Sequence, residues 1–193
     1  MRPDEASATG DAIPAGCTII DVRVSELRQL FNAIDPAPFR DRDLDPKIEE
    51  FIVDWSREAP AGAPLALLVR LDRLADPAHD AAVVRDSIHR FFAQRASATR
   101  GRLKRLFRVG RVSLLIGLAV LTMFIAVAQL VARRTGASGL SGVLHESLLI
   151  GGWVAMWRPL EIFLYDWWPI RAEARLFDRL AVMPVRLSYS STA

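Results

Sequence analysis

The 193 residues are 51% hydrophobic and 24% charged. That is apolar for an ordinary soluble domain, and too charged for a chain wholly inside lipid. The single cysteine, Cys17, excludes an internal disulfide and fits a reducing compartment, and the net charge of +3 understates an uneven distribution. The cations cluster beside an apolar run rather than forming a separate patch, so nucleic acid is not an expected partner.

Residues 1–17 read as a flexible tail of Ala, Pro, Gly, Asp and Ser, too acidic and too weakly apolar for a secretory signal. An α/β domain is expected over 18–95. Its first strand, Thr18–Val24, alternates Ile20, Val22 and Val24 with Asp21 and Arg23, the pattern of a half-buried strand. Ser25 is placed to cap a short helix carrying Leu27, Leu30 and Phe31, and Pro36 and Pro38 end it. Asp45-Pro46 opens the clearest soluble helix, with Asp45 at the N-cap and Pro46 at the first helical position. Ile48, Phe51, Ile52 and Trp55 follow at helical spacing and predict one apolar face.

Leu65 to Leu71 is a nearly continuous apolar run, read as a central strand. Asp76-Pro77 repeats the helix-start signal, and the helix that follows is expected to bury Val84, Ile88, Phe91 and Phe92. This order of elements favours a right-handed crossover and a parallel strand pair. Two strands make a poor sheet, and the alternating C-terminal Val185–Tyr189 could supply a third.

Residues 96–111 predict a basic juxtamembrane helix, with a possible bend at Ser97–Gly101. Arg95, Arg100, Arg102, Lys104, Arg105, Arg108 and Arg111 precede the membrane segment, with no acid among them. Arg100 to Arg111 are expected to set topology and to meet anionic lipid headgroups. Twenty uncharged residues follow, Val112–Val131, enough to span a roughly 30 Å hydrocarbon core as a helix. An external loop and the start of the next helix occupy 132–146, and a second span covers 147–168. Trp167 and Trp168 are expected to form an interfacial aromatic belt. A charged helix and the last strand fill 169–193. Seven cations before the first span and Arg171, Arg175 and Arg179 after the second, against two in the loop, place both termini in the cytoplasm.

Arg158-Pro159-Leu160-Glu161 interrupts the second span. Measured from Asp166 at the interface, Glu161 lies roughly 7 Å and Arg158 roughly 12 Å inward along a helix. Spacing of three puts both on one face, where they can neutralise each other. They can be a structural ion pair with Arg158 snorkelling to phosphate, a polar grip on another subunit, or part of an ion or proton relay. Pro159 frees the Ala155 carbonyl and can kink the helix. Small residues repeat at Ser147, Gly151 and Ala155, and Ala119, Thr122, Ala126 and Gln129 line one face of the first span. Both stripes suit close helix packing, within the hairpin or between copies.

No catalytic, cofactor or metal site is predicted. His145-Glu146 is half of a zinc motif whose second histidine position holds Leu149. Asp41, Asp43 and Asp45 lack the glycine and glutamate of a calcium loop. His79 and His89 are expected at the surface. Leu148–Leu187 (LLIGGWVAMWRPLEIFLYDWWPIRAEARLFDRLAVMPVRL), with the earlier VRVSELRQLFNAIDPAPFRDRDLDPKIEEFIVDW and PLALLVRLDR, resembles a widespread group of bacterial two-span inner-membrane proteins with no assigned activity. The resemblance implies a bacterial inner membrane and carries no functional residue across. The sequence therefore predicts a non-enzymatic module that forms homo-oligomers or docks on a membrane complex. Its rivals are a small channel or transporter built on Arg158 and Glu161, and a membrane-bound enzyme acting on lipids.

Overall fold

The computed structural model describes residues 8–32, 42–60, 62–72, 77–135 and 139–189. Pro36, Pro38, Asp41, Asp76 and the middle of the loop between the apolar helices lie outside them. The chain divides into two compact units, one of residues 1–97 and 173–193 and the other of residues 98–172.

The first unit is built on a four-stranded sheet of β1 (Ala8–Gly10), β2 (Thr18–Val24), β3 (Leu65–Leu71) and β4 (Val185–Tyr189), in the order β1-β4-β3-β2. β2, β3 and β4 are mutually parallel, and β1 joins β4 antiparallel. The C-terminal strand thus completes the sheet. β1 was expected in the flexible tail. Its three residues show no apolar alternation, and backbone pairing with β4 holds them in place.

Asp11 follows β1 and fixes this edge. Its N–H donates to the Val185 carbonyl at 3.0 Å, and its carboxylate accepts from the Val185 N–H at 3.3 Å. The same carboxylate receives Arg85 Nη1 at 3.2 Å, while Asp86 takes the guanidinium from the other side. The Asp11 hydrogen bond, with that of Asp86, raises the Arg85 guanidinium above its ordinary pKa.

Successive crossovers from β2 to β3 to β4 run in one direction, and right-handed connections of that kind put their helices on one face. The core obeys this. Ile20, Val22, Leu65, Leu67, Val69, Leu71, Val185 and Leu187 pack with residues of α1 (Pro46–Glu58), the first turns of α2 (Pro77–Thr135) and the end of α4 (Trp167–Leu180). Val84, Ile88 and Phe92 of α2 are fully buried, and Phe92 stacks on Phe177 with centroids 6.3 Å apart.

Three local expectations change. The segment after Ser25 is a 3-10 turn, Leu27–Leu30, whose N-cap is Glu26, and the Ser25 N–H donates to Gln29 Oε1. α1 starts as expected, with Asp45 Oδ1 accepting from the Lys47 N–H at 2.9 Å, but its buried side is Ile52, Val53 and Ser56. Phe51 and Trp55 are 41% and 46% exposed. Periodicity fixed the helix there but left its rotation free by about a quarter turn. His89, expected at the surface, is half-buried and its Nε2–H donates to the Met183 carbonyl at 2.8 Å. The side chain of His79 lies outside the described residues.

α2 is one helix of 59 residues, Pro77–Thr135, so Ser97–Gly101 does not end it. Gly101 lowers helix propensity yet lies within the helix.

Candidate functional site

The second unit is an antiparallel pair formed by α2 and α3 (Gly139–Glu161). The two chains of contact run in opposite directions. A Cβ on Gly110 would meet Ile162 Cγ2 at 2.8 Å, one on Gly117 the Ala155 carbonyl oxygen at 2.9 Å, one on Gly152 Leu121 Cδ1 at 2.6 Å, and one on Gly151 Phe124 Cε2 at 2.9 Å. Gly110, Gly117, Leu121, Phe124 and Ala128 are thus the seam of α2, spaced seven, four, three and four. That is the spacing of a left-handed helix pair.

The hairpin does not close through the small-residue stripe of the first span. Ala119, Thr122, Ala126 and Gln129 are exposed, and the Thr122 hydroxyl donates back to the Leu118 carbonyl at 2.8 Å. On the partner helix, Gly151 and Ala155 face the seam together with Gly152, while Ser147 is exposed. The glycines decide the face because the closest approach of two helix backbones needs a missing side chain. Their heptad spacing was the available signal.

Both helices are long and apolar enough to cross a membrane, over Asp80–Val131 and His145–Leu180. Their most apolar windows are only 11% and 17% buried within this chain. Leu115, Ile116, Ile150, Trp153, Val154 and Trp157 all point outward.

Near the end of α3 the winding changes. Ile162–Asp166 form a π-helical turn, after which α4 continues. Pro159 lies just before it and cannot donate to the Ala155 carbonyl. From the first residue of α4, Trp167 Nε1–H donates to the Phe163 carbonyl at 2.9 Å, supplying a donor to a backbone group inside the turn. Phe107 of α2 lies against Phe163 and Trp167 at 6.1 and 6.4 Å between centroids, and Arg171 sits 5.5 Å over the Trp167 ring. The expected belt therefore divides: Trp167 is packed and Trp168 is exposed.

The π turn also assembles the charged cluster. Arg158 Nη1 is 2.8 Å from Glu161 Oε2 and 3.7 Å from Asp166 Oδ2. Regular α-winding would set Asp166 about 80° round from Arg158. The wider turn accumulates less rotation per residue and brings Asp166 back onto the Arg158 face. Asp166 is the partner that spacing alone did not reveal. Arg158 is 63% exposed in this single chain, on the outside of the pair rather than in its seam.

The six cations Arg100, Arg102, Lys104, Arg105, Arg108 and Arg111 are all exposed along α2. Arg95, counted with them in the sequence, is engaged elsewhere: it pairs with Glu49 and lies 5.2 Å over Phe91. Among the described residues no three His, Cys, Asp or Glu side chains gather as a metal ion would need. Comparisons with family models, with curated proteins and with solved structures find no match.

Proposed function

We propose that this chain is a two-span protein of a bacterial inner membrane, acting without catalysis as a homo-oligomeric scaffold or as an accessory subunit of a membrane complex. One observation carries the reading. The two apolar helices close on each other through a glycine seam and leave almost all their remaining apolar surface uncovered, whereas the sheet domain buries its own core. Surface of that extent and length suits lipid.

The shared sheet supports same-side termini. β3 precedes the two apolar helices and β4 follows them, yet the strands pair, so chain entering and leaving the bilayer belongs to one domain. The excess of Lys and Arg beside that domain assigns the side to the cytoplasm, and the six exposed cations on α2 suit anionic headgroups there. The bacterial inner membrane rests on the resemblance carried by Leu148–Leu187.

Association follows from Arg158, Glu161 and Asp166. An exposed charged cluster beside a long apolar surface is costly in lipid and gains from cover by another chain. The measurement is particle mass in nanodiscs: an assembly or a stoichiometric partner is expected, and a bare monomer overturns the reading. A second reading draws on the same cluster. Two carboxylates against one guanidinium leave one excess negative charge, which suits a path for protons or cations between copies. Flux through proteoliposomes that is lost in Glu161→Gln would favour it, and absence of flux under every gradient would remove it.

A further inference from the structure

The sheet face opposite the core of the first unit carries Asp21, Arg23, Arg70 and Arg186 beside Ile19 and Leu68. Register places Arg23 directly beside Arg70, and Arg70 beside Ser188. Like charges side by side on neighbouring strands weaken their pairing. Asp21 neutralises only one of them, its two oxygens 3.1 and 3.0 Å from Arg70 Nε. At the carboxyl ends of β2 and β3, Arg23, Val24, Ser25, Arg70 and Asp72 line a cleft of about 340 Å³. The volume suits a small molecule.

Arg23 and Asp72 open onto this cleft, yet among the described residues neither has an ion-pair partner, and they do not pair with each other. An unpaired cation and an unpaired anion lining one cleft complement a molecule that carries both signs. We propose that the cleft binds a small zwitterionic phosphate, with its phosphate between Arg23 and Arg70 and its ammonium on Asp72. Guanidinium forks match phosphate oxygens, and the bound anion relieves the Arg23–Arg70 repulsion. Asp72 disfavours a bare anion and favours one with an attached cation. The same chemistry occurs in a free aminoalkyl phosphate and in an aminoalkyl phospholipid headgroup.

Calorimetric titration of the full chain, in a non-ionic detergent, with O-phosphoethanolamine, inorganic phosphate and ethanolamine tests this. Phosphoethanolamine is expected to bind at least tenfold more tightly than phosphate, and ethanolamine to bind least. Arg23→Ala should weaken phosphoethanolamine at least tenfold. Asp72→Asn should erase the preference over phosphate while leaving phosphate binding intact or stronger. Arg28→Ala, outside the cleft, should change neither. Both cleft positions are exposed, so unchanged melting of the variants is expected and verifies folding. In nanodiscs, loss of the soluble probe's binding with phosphatidylethanolamine but not phosphatidylcholine would identify a headgroup as the source, and retention would identify a soluble molecule; both support the site. Failure of phosphoethanolamine to bind at millimolar concentration overturns the proposal, as does binding indifferent to Arg23→Ala and Asp72→Asn.

Discussion

Gly117 lies against the carbonyl oxygen of Ala155, the acceptor that Pro159 deprives of its helical donor. A side chain at position 117 would hold the two backbones apart at this point, because a Cβ there would stand 2.9 Å from that oxygen and 3.1 Å from Met156 Sδ. One helix lacks a backbone donor where the other lacks a side chain.

Gly117→Ala is therefore expected to destabilise the helix pair by about 1–3 kcal/mol, the usual effect of overpacking, despite alanine's better helix propensity. Ala119→Leu, on the exposed side of the same helix, should cost little. Unfolding of both variants by SDS titration from mixed micelles makes the comparison. Equal midpoints would remove the glycine seam from the account.

Arg158 has two carboxylate partners, so the charged cluster should behave non-additively. Glu161→Gln alone and Asp166→Asn alone each leave Arg158 one acid. The double variant leaves it none and should lose more folded, inserted protein than the two single losses combined. Arg158→Ala leaves two acids facing each other and should be the most damaging single change. Yield of folded protein in membranes is the readout, and an additive double variant would mean that Asp166 plays no part.

Gly10 ends β1 with φ at +112°, and a Cβ there would fall 2.7 Å from the Val185 carbonyl. Gly10→Ala should lower stability by about 1–3 kcal/mol, combining backbone strain with a clash against a backbone atom. Gly16, also at positive φ but with nothing near its absent side chain, should lose less. Melting temperatures of the two variants decide this, and equal losses would assign the effect to backbone conformation alone.

Asp11→Ala should detach β1. It removes the acceptor of the Val185 N–H and a partner of Arg85 together, leaving Asp86 to hold the guanidinium. A loss of roughly 1 kcal/mol is expected for half-exposed polar contacts. Amide exchange along β4 should rise selectively, while β2, on the far edge of the sheet, keeps its protection. Uniform protection would show that β1 holds without this side chain.

Much of the architecture could be read from residues alone. Ile20, Val22 and Val24 announce β2 by alternation, and the unbroken apolar run Leu65–Leu71 announces a strand with little open surface. Asp45-Pro46 marks a helix start, and a parallel arrangement follows once helices separate the strands. The positions of the two apolar helices follow from length and composition. In the candidate site, Arg158 and Glu161 share a face by their spacing.

The chain's own chemistry determines where elements begin, which are apolar enough for lipid, and where charge interrupts them, because propensity, capping and hydropathy act within a few residues. Tertiary structure alone decides what touches what. It recruits Ala8–Gly10 as a strand through β4 and Arg85, turns α1 toward Val53 and away from Trp55, and chooses Gly110 and Gly117 over Ala119 and Thr122 as the helix seam. It also winds Ile162–Asp166 into the turn that delivers Asp166 to Arg158. Those choices depend on surfaces contributed by residues far away in the chain, and a local pattern can limit such choices without making them.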